Sequence, residues 1–169
     1  NVTSTEMSTT KLNIKEVKSL PVLFGEQDVI KTLQLTPGVK SAGEGNSGFY
    51  VRGGSSDQNL IILDEAPVYN ASHVFGFLSV FNTDAIKDVK LYKGNMPADY
   101  GGRLSSVLDI KMKEGNMKEY HGIGSIGTIA AKLTAEGPIV KDKSSFMVSA
   151  RRTYFDALFL PFTTDTLFD

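Results

Sequence analysis

The sequence contains no cysteine and only two histidines in 169 residues. The absence of cysteine excludes disulfides and thiolate metal sites, and it is compatible with the cytosol, the periplasm or the outer membrane. His73 and His121 lie far apart in the sequence and lack the H-E-x-x-H spacing of a zinc-binding helix. We therefore expect neither a metal site nor a bound cofactor.

The chain also lacks an excess of one charge and a long hydrophobic run. Lys and Arg total 18 against 19 acidic residues, so nothing points to nucleic acid as a partner. The longest mostly apolar stretch, residues 74–81, is too short for a membrane-spanning helix, although a transmembrane β-strand remains open. No charged-then-apolar leader follows Asn1, so any secretion signal is expected to have been removed or to lie outside this sequence.

The residues that are present suffice for one packed domain, or for one domain and a fragment of another, since 41% are hydrophobic. Up to about Gly115 the pattern predicts an α+β fold, a small mixed sheet with short helices. Strands are expected in residues 8–14, 48–53, 86–94 and 105–115, a hairpin in 59–70, and helices in 23–39 and within 74–85. In the first helix, Glu26 and Asp28 lie near the start, where carboxylates are favourable, and Pro37-Gly38 ends it.

After Gly115 the pattern changes to long alternating strands. Residues 123–135 predict one strand whose apolar face carries Ile129, Ala131 and Leu133 and whose opposite face is more polar. A polar turn at 137–144 leads into a returning strand, and aromatic residues cluster at its far end: Tyr154, Phe155, Phe159 and Phe162. This pattern is typical of outer-membrane barrels, and an ordinary solvent-exposed hairpin is the alternative.

A glycine loop at residues 43–48 reads GEGNSG and fits the pattern G-x-G-x-x-G. A dinucleotide-binding loop needs a strand before the glycines and a helix directly after them. Here a predicted helix precedes the glycines and a strand follows, so no helix N-terminus would face a pyrophosphate. A flexible surface loop is therefore the preferred interpretation.

No catalytic constellation is recognisable. Ser47 lacks a G-x-S-x-G elbow, because Phe49 replaces the second glycine. Asp64 and Glu65 are adjacent carboxylates in a predicted turn, where Asp commonly bonds to the backbone. The sequence therefore does not predict an enzyme.

Two blocks of sequence resemble the plug domain of TonB-dependent outer-membrane receptors. The first, residues 48–70, has a strand ending in Val51-Arg52-Gly53-Gly54, a short loop, and an apolar run into Leu63-Asp64 and Pro67-Val68. The second, residues 84–115, has a strand, Lys93-Gly94, a variable stretch, Tyr100-Gly101 and a final strand. The resemblance is strongest to receptors of the Bacteroidetes type, judged by two stretches together, ADYGGRLSSVLDI and LFGEQDVIKTLQLTPGV. The resemblance covers residues 12–154.

The resemblance implies a plug in residues 1–118, followed in 119–169 by the first strands of a barrel of about 22 strands. It implies active import across the cell outer membrane: a small ligand binds above the plug, and a TonB-type protein of the inner membrane pulls to open a path. The coupling box should lie upstream, since nothing before Ser8 is recognisable as one. Neither the ligand nor an extra domain before Asn1 is identified.

The resemblance also assigns roles to individual residues. Arg52 is expected to anchor the plug to carboxylates within the plug or on the barrel wall, and Arg103 likewise, with solvated surface charges as the alternative. Gly53, Gly54, Gly101 and Gly102 would permit close approach or positive φ, and Asp64 and Tyr100 complete the motif. Ligand contacts are expected from two loops: Tyr69, Asn70, His73 and Phe75 in one, and Asn95 and Tyr100 in the other.

One departure concerns the hairpin, where the family has Asp-Gly and this chain has Asp64-Glu65. Since Glu tolerates positive φ poorly, we expect a four-residue turn through Asp64, Glu65, Ala66 and Pro67 instead of a type I′ turn. The chain also stops too early to close a barrel, so it is expected to be an excised piece or a soluble product. Its long strands would then pair with the plug's sheet or with another copy, giving a strand-swapped oligomer. A free-standing periplasmic α+β binding module is the alternative function.

Overall fold

The structure, a computed structural model, describes residues 8–19, 26–43, 48–73 and 78–154. Contacts divide the chain into two units: Asn1–Pro21 with Gln27–Lys113, and Val22–Glu26 with Glu114–Asp169. The division after Lys113 falls five residues before the predicted boundary at 118. Within the described ranges, no helix combines the length and the apolar character needed to cross a membrane.

Both helices and most of the short strands lie in the first unit, and the two longest strands lie in the second. In chain order they are β1 Thr9–Leu12, α1 Ile14–Ser19, α2 Val29–Gln34, β2 Val39–Ser41, β3 Phe49–Val51, β4 Asn59–Leu63, β5 Ala66–Pro67, β6 Ser72–His73, β7 Leu78–Ser79, β8 Ile86–Tyr92, β9 Ser106–Met112, β10 His121–Ile126, β11 Ala130–Val140 and β12 Ser144–Thr153.

A five-stranded mixed sheet forms the first unit, in the order β1-β8-β9-β4-β5. Strands β4 and β9 are parallel, and the other neighbours are antiparallel. Two small ribbons, β2-β3 and β6-β7, accompany it. The predicted α+β fold with a small mixed sheet is therefore confirmed.

Helix α2 begins where the sequence predicts an acidic N-terminus. Asp28 is its N-cap, and Oδ1 accepts hydrogen bonds from the backbone N–H groups of Ile30 (2.8 Å) and Lys31 (3.1 Å). The other carboxylate oxygen accepts from the backbone N–H of Ser79. The helix ends before Pro37-Gly38, as predicted, and Gly38 has a φ of +80°.

The core lies between this helix and one face of the sheet. Val29, Ile30 and Leu33 are fully buried, and they belong to one apolar cluster with the central strands β8 and β9. Alternation in β8 buries Val89 and Leu91. The hydrophobic periodicity of the sequence therefore identified this face correctly.

The helix expected within residues 74–85 does not form in the described part of that segment. Leu78–Ser79 is strand β7 and residues 83–85 form a turn, while 74–77 lie outside the described residues. The apolar run is too short for its periodicity to distinguish a helix from a buried strand. Leu78 and Ser79 are both buried.

The second unit contains a three-stranded antiparallel sheet in the order β10-β11-β12. The single strand predicted for residues 123–135 is wrong, because the chain turns at 127–129 and separates β10 from β11. Strand β11 continues to Val140, so the turn occupies residues 141–143 only. In the described residues these strands pair with one another, so the expected pairing with the sheet of the first unit is not seen. Pairing with another copy stays a prediction.

Candidate functional site

The topology of the sheet gathers several predicted residues at one end. Thr9 of β1 pairs with Tyr92 of β8, Tyr92 pairs with Val107 of β9, and β4 begins beside the start of β9. Ser8 and the loops 52–58 and 93–105 therefore lie at the same end of the strands, which we call the loop end. Strand β5 runs back toward it, since the backbone N–H of Val68 bonds to the carbonyl of Ile61 (2.8 Å).

Arg52 lies at the loop end beside a second cation. Its Nη2 donates to Ser8 Oγ (3.1 Å), and its backbone adopts a φ of +49°. Lys93 is buried, with Nζ donating to the carbonyl of Pro37 (2.5 Å). Burial, and then the nearby Arg52 charge, lower the pKa of Lys93 below its usual value. Two cations therefore lie close together at the loop end.

No carboxylate of the described residues forms an ion pair with Arg52. The predicted anchoring of Arg52 to a carboxylate within the plug is thus not seen in this part of the chain. Arg103 is exposed. Contact of either arginine with a barrel wall stays a prediction.

Three of the four motif glycines occupy positions that disfavour a side chain. Gly53 and Gly102 have φ values of +85° and +82°. A Cβ on Gly54 would lie 2.6 Å from Ser105 Cβ, because the two loops of the loop end touch there. Gly101 has open space around it and no positive φ, so its backbone does not require glycine.

Tyr100 connects the loop end to the sheet. Its hydroxyl donates to Asp109 Oδ2 (3.2 Å), and its ring lies 5.6 Å from that of Tyr92. Burial, followed by the charge and hydrogen bond of Asp109, raises the pKa of Tyr100 to about 12. Tyr100 also packs on a small apolar cluster that includes Tyr92 and Val107, so its contacts stabilise the fold.

Asp64 lies at the opposite end of the sheet. Its Oδ1 accepts a hydrogen bond from the backbone N–H of Met112 (2.9 Å), which joins the ends of β4 and β9. The expected four-residue turn is wrong. Leu63 pairs directly with Ala66, and Asp64 and Glu65 have φ values of +45° and +71°, as in a type I′ turn. Strand pairing therefore imposes the two-residue turn despite the strain at Glu65.

The residues expected to contact ligand are mostly exposed. Tyr69 is 86% exposed, and Asn70 accepts a hydrogen bond from the backbone N–H of Ser72 (3.0 Å). His73 is exposed in β6, and Asn95 is exposed with a φ of +49°. Phe75 lies outside the described residues. Topology places Tyr69, Asn70, Asn95 and Tyr100 toward the loop end.

The second unit contains a buried ion pair that the sequence did not predict. Glu26 forms an ion pair with Lys132 of β11, with Nζ 2.6 Å from Oε2 and both side chains buried. The sequence offered only a lone lysine on the polar face of a strand, and Glu26 was assigned to a helix N-terminus.

Strand β11 buries polar residues and exposes an apolar one, which inverts the usual pattern of burial. Ala130, Lys132 and Thr134 are buried, whereas Leu133 on the apolar face is 62% exposed. Other large apolar side chains of this unit are also exposed: Ile123, Ile126, Ile139, Val140 and Val148. A water-facing sheet would be expected to bury its apolar face.

Comparisons with solved structures identify receptors with this fold. The siderophore receptor PirA from Acinetobacter baumannii matches 86% of this chain with a TM-score of 0.64 and 18% identity. A ferric enterobactin receptor (PfeA) mutant from Pseudomonas aeruginosa matches 87% with a TM-score of 0.59 and 15% identity. The outer membrane transporter YddB from Escherichia coli matches 76% with a TM-score of 0.52 and 17% identity. The matches cover 24%, 24% and 23% of those chains, so this chain spans about a quarter of their length.

No curated protein matches the chain at a significant level. The family described as the TonB-dependent receptor plug domain matches residues 2–106, which is more than half of the sequence. Receptors of this family lie in the outer membrane, and they are receptors and transporters, not enzymes. The chain belongs to the TonB-dependent receptor plug domain family.

Proposed function

We propose that this plug closes the lumen of its own C-terminal β-barrel and moves, after ligand binding and energy coupling, to admit a small imported ligand. The partners would be that barrel and a TonB-type protein that engages a box upstream of Ser8. No catalytic turnover forms part of this proposal. The ligand class is left open, because most of its contacts would come from barrel loops.

The observation that carries the proposal is the position of β1. This strand comes first in the described chain, and it lies at the edge of the five-stranded sheet, where its only strand partner in the described residues is β8. A pull on the preceding chain can therefore detach β1 without separating β8, β9 and β4. An edge strand leaves the remaining ladder paired, whereas removal of a central strand would divide the sheet.

The loop end, together with residues 69–75, is proposed to supply the residues for the two other functions of a plug. Tyr69, Asn70, His73, Asn95 and Tyr100 are proposed to contact ligand, together with Phe75. Arg52 and Arg103 are proposed to bind carboxylates beyond the described residues, with Gly53, Gly54, Gly101 and Gly102 giving close approach. The support is the proximity of the cations Arg52 and Lys93 at the loop end, together with its exposed aromatic and amide side chains.

Residues 119–169 are proposed to be the first strands of the barrel. The support is the exposure of Leu133, Ile126 and Val148 beside the burial of Lys132 and Thr134. Membrane barrels turn apolar side chains outward to lipid and polar ones inward, which is the reverse of a soluble sheet.

The experiment is a disulfide that fastens β1 to β8. Lys11 and Lys90 are directly opposed across the two strands. The carbonyl of Ser8 accepts a hydrogen bond from the backbone N–H of Lys93, so every second residue of β1 counted from Ser8 belongs to a hydrogen-bonded pair. Lys11 and Lys90 thus form a non-hydrogen-bonded pair, with Cα atoms about 4.5 Å apart, which suits a disulfide. Because this sequence has no cysteine, Lys11→Cys with Lys90→Cys adds its only thiols.

In cells, the oxidised receptor is expected to bind ligand but not import it, and reduction should restore import. The matched control is Thr134→Cys with Ser149→Cys, which joins β11 to β12 at a pair whose hydroxyls are 2.8 Å apart. That disulfide should leave import unchanged. Equal import by the oxidised and reduced Lys11/Lys90 pair would contradict the proposal that β1 must move.

A further inference from the structure

The chain passes through the second unit once before the first unit is complete. The stretch Val22–Glu26 belongs to the second unit, and the chain returns to the first unit at Gln27. Strand β1 and helix α1 are therefore joined covalently to α2 only through a stretch that is part of the second unit. A pull on β1 must pass through this stretch before it reaches α2.

Glu26 is held in this stretch by a buried ion pair. Lys132 Nζ lies 2.6 Å from Glu26 Oε2, and the exposed fractions of the two side chains are 7% and 2%. Lys132 lies within β11, which pairs with β10 on one side and with β12 on the other. The ion pair therefore fastens Glu26 to the central strand of a three-stranded sheet.

The contacts that hold the chain before Glu26 are weaker in the described residues. Strand β1 has four residues at a sheet edge, and α1 has six, too few for a helix that is stable by itself. Lys18 of α1 forms an ion pair with Asp84 at the same distance of 2.6 Å, but the exposed fractions are 35% and 13%. Water screens such a pair, so it contributes little, whereas breaking a buried pair leaves a desolvated charge without its partner.

Almost all of the plug's core lies beyond Glu26 in the chain. Of the fourteen buried members of the main apolar cluster in the described residues, only Leu12 and Val17 precede Glu26. Directly after it, Asp28 caps α2, and Val29 is fully buried. Removal of the chain before Glu26 would thus leave most of the core packed, whereas a pull that passed this residue would open the core.

We propose that the buried pair of Glu26 and Lys132 is a mechanical stop, which limits the part of the plug that a pull can remove to the residues before 26. This inference rests on the proposed movement of β1 and adds the point at which that movement ends. The strands that remain, β8-β9-β4-β5, keep their pairing. The removed segment stays tethered at a fixed point, which raises its effective concentration for return to the sheet.

The test pulls on single molecules of the whole receptor, purified in detergent, through handles on two introduced thiols. Lys11→Cys lies on β1, and Lys141→Cys lies in the exposed turn after β11. With a stop at Glu26, the first release frees residues 11–25, and these fifteen residues extend to about 50 Å. Without a stop, the first unit unravels as far as Lys113, and the 103 residues from 11 to 113 extend to about 350 Å.

Two matched lysine variants separate the two ion pairs. Lys132→Met removes the pair with Glu26, and Lys18→Met removes the pair with Asp84 in the segment that is expected to leave. The wild type should pause at the short extension, and Lys132→Met should shorten the lifetime of that pause at a fixed force about tenfold or more. Lys18→Met should ease the first release and leave the pause unchanged.

A third variant keeps the test valid if Lys132→Met does not fold. Glu26→Asp keeps both charges but draws the carboxylate back by one methylene, so it should also shorten the pause.

Two outcomes would overturn the inference. The first is a wild type that unravels to the long extension without a pause. The second is a pause with the same lifetime in the wild type, Lys132→Met and Glu26→Asp, since the resistance would then come from another part of the chain. Both outcomes leave the transport proposal standing. Conversely, equal import by the oxidised and reduced Lys11/Lys90 pair refutes the transport proposal and leaves the pause unexplained by import.

Discussion

Lys132 and Glu26 form a buried ion pair, with 2.6 Å between Lys132 Nζ and Glu26 Oε2 and exposed side-chain fractions of 7% and 2%. Glu26 falls inside the range that matches the plug family, yet its contacts group it with β11. The pair therefore joins Glu26 to the three-stranded sheet through opposite charges.

Removing one partner of this pair should be strongly destabilising. Lys132→Met or Glu26→Gln leaves an uncompensated buried group, and each is expected to lower the free energy of unfolding by about 3–5 kcal/mol. The double change Glu26→Leu with Lys132→Met should recover most of the loss, because the pair is replaced by apolar packing. Urea unfolding of the receptor, arranged as a double-mutant cycle, measures this coupling. Additive losses in the double variant would contradict the assignment.

Glu65→Gly should stabilise the plug. Glu65 holds a φ of +71° in the two-residue turn between β4 and β5, a conformation that glycine adopts without strain. We expect a gain of about 1 kcal/mol in the free energy of unfolding. Glu65→Ala is the control, since it removes the side-chain charge but keeps Cβ, and it should give no such gain. Stabilisation of equal size by Glu65→Ala would show that charge, not backbone strain, is the cause.

The close approach of Gly54 to Ser105 predicts a specific steric effect. Gly54→Ala places a Cβ 2.6 Å from Ser105 Cβ, so it is expected to destabilise the plug by about 1–3 kcal/mol. Gly101→Ala, in a neighbouring loop with open space, should have little effect. Combining Gly54→Ala with Ser105→Gly should restore stability, as measured by thermal unfolding. If Gly101→Ala destabilises the plug more than Gly54→Ala does, the close contact between Gly54 and Ser105 is wrong.

Tyr100 should titrate at a pH well above that of an ordinary tyrosine. Burial and then Asp109 raise its pKa from 10.0 to about 12. Asp109→Asn should lower that pKa only partly, because burial remains, and Tyr100→Phe should remove the transition. Absorbance of tyrosinate against pH gives both values.

The same pKa shift makes stability depend on pH. Since the neutral phenol is favoured in the folded state, the unfolded chain loses its proton first. The contribution of Tyr100 to stability is therefore complete below pH 10 and is lost as the pH rises toward 12. Stability that falls over this range equally in Tyr100→Phe would contradict the assignment.

Much of the fold could be predicted where the sequence repeats a clear period. The alternation of Val89 and Leu91, the N-cap Asp28 and the Pro37-Gly38 stop each specified local structure, and the structure agrees. The turn at Asp64-Glu65 could not be predicted in this way, because the pairing of Leu63 with Ala66 overrides the local preference of Glu65. Tertiary contacts decided that turn.

Less of the candidate site than of the fold could be predicted from the sequence. Motif positions identified Arg52, Gly54 and Tyr100, but not that Lys93 lies beside Arg52 or that Asp109 accepts from Tyr100. The pair of Glu26 and Lys132 joins residues 106 positions apart (132 minus 26), and no local pattern reports such a contact. Charges that meet only through the fold are therefore the part that sequence reasoning missed.

The account rests most directly on the claim that this plug is enclosed by its own barrel in the outer membrane. The decisive measurement separates the membranes of the native source and detects the chain with an antibody against residues 27–113. We expect an outer-membrane band that migrates faster unheated than boiled, because a folded barrel resists unfolding by detergent. A band in the soluble periplasmic fraction, unchanged by boiling, would contradict the account and favour a free-standing binding module.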